Sequence, residues 1–284
     1  RFSTALNVSG VTHELAVNVQ GDVIGEGGTK AAVYIDLPSG SDTTVTVDGK
    51  AVKKLEDDSV GDYVYNMAVY VFCSNDDATN VVEVNDCVAS GKYASGVYLD
   101  GSGTSTVIVD KNIEATGQNS TGAHIYGHGN NTVIVGTGEE DGNITGDYGV
   151  HLTPQGTKEV IATGTISGDS SSIMIANQGV DGHSITAWSI KANGNSISNS
   201  EKHDEALKDH INYILRVDTI LGDIATSVAG LVNLFSNGEA AKKKTVDLPE
   251  DKKLELYTAK AGDEARMQVA DTIEVNNKKY NRRS

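Results

Sequence analysis

The apolar residues of this chain fall in short alternating stretches, and the whole pattern repeats roughly every 25 residues. One phrase consists of two apolar residues with one residue between them, then a turn, then an apolar residue that leads to glycine. Alternation with a period of two is typical of β-strands that bury one face. The phrase begins at Val17, Val45, Val82, Val107, Val133, Val160 and Ile185. In the third of these repeats, Val88 is the predicted apolar residue after the turn.

A second alternating phrase precedes the first by 10 to 13 residues, so each repeat offers three short strands. A single repeat cannot fold alone, because fixing its backbone costs about 1–2 kcal/mol per residue. Stacked repeats share one core and pair equivalent strands about 4.8 Å apart. The pattern therefore predicts an all-β parallel solenoid of about seven coils. The second phrase begins at Val33, Val69, Val97, Ala123, Val150 and Ile173.

With these V-x-V…[VI]-x-x-x-G and G-[VA]-[YH]-[LI] phrases, residues 2–198 resemble the pectin-lyase-like superfamily of right-handed parallel β-helices. Within this superfamily, the phrases resemble particularly those of the repeat-built surface and adhesin-type proteins of bacteria. It implies a right-handed β-helix with three strands per coil and a secreted or cell-surface location. Many proteins of this shape degrade polysaccharides, so the resemblance leaves adhesive, structural and enzymatic functions open.

The C-terminal third has a different period. Apolar residues from Leu207 to Phe235 follow helical spacing, which predicts an α-helical cap over residues 200–238. A cap would protect the open strand edges of the last coil. A coiled-coil or partner-binding helix, or a helix on a side loop, are the alternatives. Residues 239–284 are expected to form a short α+β tail after the β-helix of residues 1–199. Its expected strands are at 254–256, 267–269 and 273–275.

Composition narrows the partners. The net charge of −16 disfavours nucleic acid and anionic membrane surfaces. No apolar run reaches about 18 residues, so we expect no membrane insertion. Cys73 and Cys87 define neither a disulfide framework nor a metal site. A bridge between these two cysteines stays open, but two separate small side chains are the favoured interpretation.

The middle residue of the second phrase must point outward, because its two neighbours point into the core. Read down the stack, these positions form a column of rings, with acidic and aromatic residues two positions further along each strand. Rings bind the apolar faces of sugars, and carboxylates accept hydrogen bonds from sugar hydroxyls. The alternative is that the rings only stack on one another and stabilise the sheet. The expected ligand-binding residues are Tyr34, Tyr70, Tyr98, Asp100, His124, Tyr126 and His151.

Other chemistry is less well supported by the sequence. A zinc site at His124 and His151 lacks a third ligand at reliable spacing, so we expect no metal and no cofactor. A glycosidase needs two neighbouring carboxylates, but Phe72 separates Asp36 from Asp100 on their row. A lyase needs a base near an acidic substrate, and we expect no Lys or Arg beside the column on its face. We therefore expect no catalytic residues.

The function expected from the sequence is an extracellular structural or adhesive module that binds glycans, or a host or cell-surface protein, along the column. A carbohydrate-active enzyme on the same scaffold and an inert spacer are the alternatives. The sequence leaves the oligomeric state open.

Overall fold

A computed structural model of the chain has an all-β architecture, a parallel β-solenoid of about six turns. No helix lies in the part of the chain that the structure describes. The described residues are 4–10, 14–28, 30–37, 42–55, 66–138, 140–153, 155–175, 182–192, 195–197, 211–214, 242–246, 248, 254–260, 272–275 and 278–281.

Most strands are short, and several longer ones bend around a corner of the solenoid. In chain order the strands are β1 (Leu6–Ser9), β2 (Leu15–Val19), β3 (Val23–Glu26), β4 (Ala31–Leu37), β5 (Thr43–Lys54), β6 (Met67–Cys73), β7 (Thr79–Ser90), β8 (Ser95–Gly101), β9 (Thr104–Val109), β10 (Ile113–Thr116), β11 (Thr121–Ile125), β12 (Asn131–Val135), β13 (Ile144–Leu152), β14 (Lys158–Ile175), β15 (His183–Ala192), β16 (Asn195–Ile197), β17 (Ile211–Ile214), β18 (Lys242–Val246), β19 (Leu254–Lys260), β20 (Thr272–Val275) and β21 (Lys278–Asn281).

Three parallel ladders form three faces, and the chain visits them in the same order on every turn. Face 1 contains β1, β4, β6, β8, β11, the end of β13, the end of β14 and β16. Face 2 contains β2, β9, β12, β17 and the starts of β5, β7, β14 and β15. Face 3 contains β3, β10, the ends of β5, β7 and β15, the start of β13 and the middle of β14.

The predicted stacking register is confirmed on faces 1 and 2. Every predicted start of the first phrase, from Val17 to Ile185, aligns with its equivalent on the next turn. The same holds for the second phrase, from Val33 to Ile173. Valine, isoleucine, leucine and alanine side chains from all three faces meet in one continuous buried core. This shared core is the reason why a repeat that is too small to fold alone becomes stable in the stack.

The inward position on face 3 of the third turn was assigned to the wrong residue. Cys87 lies between Ala51 and Ile113 in the ladder and is fully buried, whereas Val88 is half-buried on the outside. Cysteine packs here as a small apolar side chain. Cys73 is a buried free cysteine at the end of β6, on face 1, so the two cysteines occupy separate positions as the sequence favoured.

The outer surface of face 2 carries a second apolar cluster, which the sequence analysis did not identify. Ile108, Ile134 and Ile161 lie on successive turns and point away from the core, yet each is at most 1% exposed. They are buried together with Val246 and Leu256. Since β18 and β19 form an antiparallel hairpin, the C-terminal hairpin supplies the apolar cover for this face.

The helical prediction is wrong at Ile211–Ile214, which form strand β17. This strand continues face 2 beyond β15 in parallel, and β19 then pairs antiparallel with it. The antiparallel strand β19 thus covers the edge of β17. It protects the strand edge of this face, which the helix was expected to do. The remaining positions of the predicted cap lie outside the described residues. Of the expected tail strands, those at 254–256 and 273–275 are present, within β19 and β20.

We expect Leu256→Ala to detach the hairpin from face 2 while the solenoid stays folded. Removing a buried leucine side chain costs about 2–5 kcal/mol, and here the loss is confined to the contact between the hairpin and the outer isoleucines. Amide hydrogen exchange should become faster in β18 and β19 and stay unchanged in β12. Equal acceleration in β12 would show that the hairpin is an integral part of the core.

Candidate functional site

Five rings stack on the outside of face 1, one from each successive turn, and we call Tyr34, Tyr70, Tyr98, His124 and His151 the aromatic column. Strand register brings each ring next to the one on the following turn, as the sequence predicted. The ring centroids are 5.1, 5.2, 4.7 and 4.3 Å apart in that order. Because the tyrosine rings meet tilted or edge to face, they largely cover one another, and Tyr70 is buried.

A lysine contacts the first two rings of the column. The ammonium of Lys30 lies 4.4 Å from the ring centroids of both Tyr34 and Tyr70. Tyr34 Oη accepts a hydrogen bond from Lys30 Nζ at 3.4 Å and donates one to Asp36 Oδ2 at 3.0 Å. The expectation that the column lacks a basic neighbour is therefore wrong. Lys30 precedes β4, outside the repeated phrase, and its spacing of four residues from Tyr34 was the only sequence signal.

Burial is the main cause of the shifted pKa values of Lys30 and Tyr34. It lowers the pKa of Lys30 below its usual value, while the charges of Asp36 and Asp100 act in the opposite direction. The pKa of Tyr34 is raised to about 12, first by burial and then by its hydrogen bond to Asp36. Tyr34 therefore remains a phenol that can donate to a carboxylate at any physiological pH.

The two histidines at the other end of the column stack face to face, with their ring planes only 17° apart. The Nε2 atoms of His124 and His151 are buried and have no hydrogen-bond partner among the described residues. Burial, reinforced by the neighbouring imidazole of His151, lowers the pKa of His124 to about 3. Burial also lowers the pKa of His151. Both rings are consequently uncharged stacking partners at neutral pH.

Tyr126 is the exposed member of the predicted set. Its side chain is 49% exposed and meets the His124 ring edge to face at 6.3 Å. The other six predicted residues are half-buried or buried. Asp100 occupies the equivalent position one turn earlier, and its Oδ1 accepts a hydrogen bond from the Gly101 amide at 2.7 Å. An exposed ring and a carboxylate thus lie on neighbouring turns of one flat face.

A fully buried lysine supports the turn that follows Tyr126. Lys158 points into the solenoid and its ammonium donates hydrogen bonds to the Gly127 and Gly129 carbonyl oxygens, at 2.6 and 3.1 Å. Asn131 Nδ2 also donates to Gly129 O, at 3.3 Å. Burial lowers the pKa of Lys158 to about 8. Two donors on successive turns therefore hold the backbone of this turn from inside.

The carboxylates suggested by a glycosidase reading are not arranged as a facing pair. Asp36, Phe72 and Asp100 occupy equivalent positions on three successive turns, so a phenyl ring separates the two acids. Asp36 accepts from the Tyr34 hydroxyl and Asp100 from a backbone amide. Among the described residues, no group of three or more His, Cys, Asp or Glu side chains could hold a metal ion.

The other two faces offer different chemistry. Face 2 has the isoleucine row covered by the hairpin. The outer groove of face 3 is lined by small and charged side chains, including Glu114, Asp147, Asp169 and Lys191, without an aromatic ring. Face 1 is therefore the face on which rings and carboxylates lie together.

In the described part of the chain, no helix has the length and apolar character needed to cross a membrane. Comparisons with protein-family models, with curated proteins and with solved structures found no match to this chain.

Proposed function

We propose that this chain is an extracellular structural or adhesive β-solenoid module that binds glycans on the outer side of face 1. The stacked turns provide a rigid support, because the strands of each inner turn are paired with the turns before and after it. The ligand lies across Tyr126 and its neighbours His124 and Asp100. A secreted or cell-surface location belongs to the same proposal.

The observation that carries the proposal is the exposed ring of Tyr126 beside the carboxylate of Asp100. A half-exposed ring in contact with His124 is held in a fixed direction and loses little side-chain entropy on binding. Its free side can contact the apolar face of a sugar, and the Asp100 oxygens can accept hydrogen bonds from hydroxyl groups. The neighbouring rings of the aromatic column, Tyr98 and His151, contact His124 and so support the part of the contact surface that lies next to Tyr126.

We also infer that the solenoid is a right-handed β-helix of the pectin-lyase-like type. Two observations support this inference: three parallel ladders, and starts of the face 2 phrase spaced 25 to 37 residues apart. Crossovers between parallel strands are right-handed in about 98% of cases.

Tyr126→Ala is expected to weaken glycan binding at least about tenfold without lowering the midpoint of thermal unfolding. The removed ring is exposed, so its loss leaves no cavity in the core. Binding would be measured on a glycan array, followed by calorimetric titration of the best glycan. Tyr93→Ala is the matched control, because Tyr93 is similarly exposed, at 45%, but lies in the turn before β8.

Three other results would contradict the proposal. Equal losses in the Tyr126→Ala and Tyr93→Ala variants would indicate nonspecific contact. Binding that survives Tyr126→Ala would place the glycan elsewhere. Release of reducing ends from a bound polysaccharide would favour the carbohydrate-active enzyme.

A further inference from the structure

The Lys30 side chain marks a cation-binding position on the outside of face 1. Its ammonium has the same 4.4 Å separation from two ring centroids, those of Tyr34 and Tyr70. Attraction between a cation and the face of a ring acts within about 6 Å, so both rings contribute. Tyr34 Oη accepts a hydrogen bond from the same ammonium and donates one to Asp36. The negative charge of Asp36 polarises this hydroxyl group and makes its oxygen a better acceptor for the ammonium.

Two carboxylates act in favour of a positive charge at this position. Asp36 and Asp100 both raise the pKa of Lys30, although burial has the larger effect and lowers that pKa overall. A cation at this position is therefore attracted by two rings on neighbouring turns, by Asp36 on the first of these turns and by Asp100 one turn beyond the second. The net charge of −16 on the chain adds a long-range attraction for polycations.

Lys30 is an occupant that can leave this position. It lies immediately before β4, is half-buried, and reaches the rings with a flexible four-carbon side chain. The rings and Asp36, in contrast, are fixed by the strand ladder. A ligand that brings its own ammonium group can therefore take the place of the lysine while the site keeps its shape.

We propose that Tyr34, Tyr70 and Asp36 bind the ammonium group of an amino-sugar glycan, and that Lys30 occupies the same position in the free protein and competes with the ligand. This inference rests on the proposed glycan binding and specifies the class of glycan: polymers of 2-amino sugars with free amines. Such a polymer would extend from Tyr126 along face 1 toward Tyr34, crossing the turns that carry Tyr98 and Tyr70.

Lys30→Ala tests the inference, because it empties the position. Calorimetric titration would compare the variant with the natural chain, using tetramethylammonium, a glucosamine tetramer and its N-acetylated counterpart as probes. We expect tetramethylammonium and the glucosamine tetramer to bind about 5- to 30-fold more tightly to the variant, as for one desolvated cation–π contact. The N-acetylated tetramer should show no change, since its amide carries no charge.

Two further variants serve as controls. Lys30→Arg keeps a cation on the rings, so it should bind all three probes like the natural chain. Adding Asp36→Asn to Lys30→Ala should reverse the gain with little loss of shape. Thermal unfolding of each variant would show that the ladder stays folded. If Asp36→Asn fails this check, Tyr34→Phe takes its place in the Lys30→Ala background, because it keeps the ring and breaks the link to Asp36.

The outcomes separate this inference from the proposed function. No gain for tetramethylammonium in Lys30→Ala overturns the cation site, even when Tyr126→Ala weakens glycan binding as expected. A gain for tetramethylammonium without one for the glucosamine tetramer overturns the amino-sugar ligand. Tighter binding of a tetralysine peptide than of the glucosamine tetramer also overturns it, in favour of a basic protein partner.

Discussion

Acidification is expected to destabilise this solenoid steeply below pH 6.5, and the stacked pair of His124 and His151 is the cause. In the folded chain the pKa of His124 is lowered to about 3 and that of His151 is also lowered, from 6.5. In the unfolded chain both imidazoles take up a proton near pH 6.5. Protons therefore bind preferentially to the unfolded state, and the free energy of unfolding decreases as the pH is lowered.

The size of the effect follows from the number of groups. Each histidine that stays neutral in the fold removes about 1.4 kcal/mol of stability per unit of pH below 6.5. For His124 the loss continues until the pH approaches about 3. The stability that comes from keeping these rings neutral is fully present above pH 6.5. The stability lost through two such histidines is a large fraction of the free energy of unfolding of a typical domain, which is about 5–15 kcal/mol.

His124→Phe combined with His151→Phe should flatten this dependence. Phenylalanine keeps a ring in the column and cannot take up a proton, so stability below pH 6.5 should exceed that of the natural chain. Urea unfolding at a series of pH values would measure the slope. His128→Gln is the control, because His128 is exposed in the turn after β11 and lies outside the column. A slope that persists in the phenylalanine double variant would assign acid sensitivity to other groups.

Much of the architecture could be predicted because each repeat has apolar residues, mostly valine and isoleucine, at the same positions. Valine and isoleucine alternate with polar residues, and a shift of one residue would turn the whole apolar set toward solvent. That constraint is strong enough to predict the neighbours of Tyr98 and His124 correctly. It was weaker on face 3, where Cys87 is as acceptable inside as Val88, and the chosen residue was wrong.

The errors share one physical origin. The spacing of apolar residues shows which positions are apolar, but it does not show which other part of the chain they pack against. Ile211 and Ile214 fit a helical period, yet a four-residue stretch is also long enough for a strand, and pairing with β15 decides the outcome. The sequence pattern did not show that the isoleucines on the outside of face 2 are buried, because the β18–β19 hairpin that covers them lies far away in the sequence. Lys30 was missed because cation–π contact depends on side-chain direction rather than on the repeat.

A glycine stack at the end of face 1 leads to the second large effect. Gly101 and Gly127 follow the strand at equivalent positions of successive turns, with positive φ angles of 103° and 87°. A Cβ atom on Gly127 would lie 2.5 Å from the Gly101 backbone nitrogen and still closer to the Gly101 carbonyl oxygen. Only glycine lets the turns approach this closely while the chain takes the left-handed conformation.

Gly127→Ala is therefore expected to lower the free energy of unfolding by about 2–5 kcal/mol, from overpacking against backbone and from strain at positive φ. Gly21→Ala is the matched control, since Gly21 has a φ of 99° but no atom within 4 Å of the added methyl group. It should cost only the conformational part, about 1–2 kcal/mol. Urea unfolding followed by circular dichroism would compare the two variants.

The same substitution links the scaffold to the proposed site. Gly127 directly follows Tyr126, and its carbonyl oxygen accepts the hydrogen bond from the buried Lys158. A methyl group that pushes this turn away from Gly101 must also move the Tyr126 ring relative to Asp100. Gly127→Ala should thus weaken glycan binding even at temperatures where the chain remains folded, whereas Gly21→Ala should not. Full binding by folded Gly127→Ala protein would mean that the ring contacts its ligand independently of the turn that carries it.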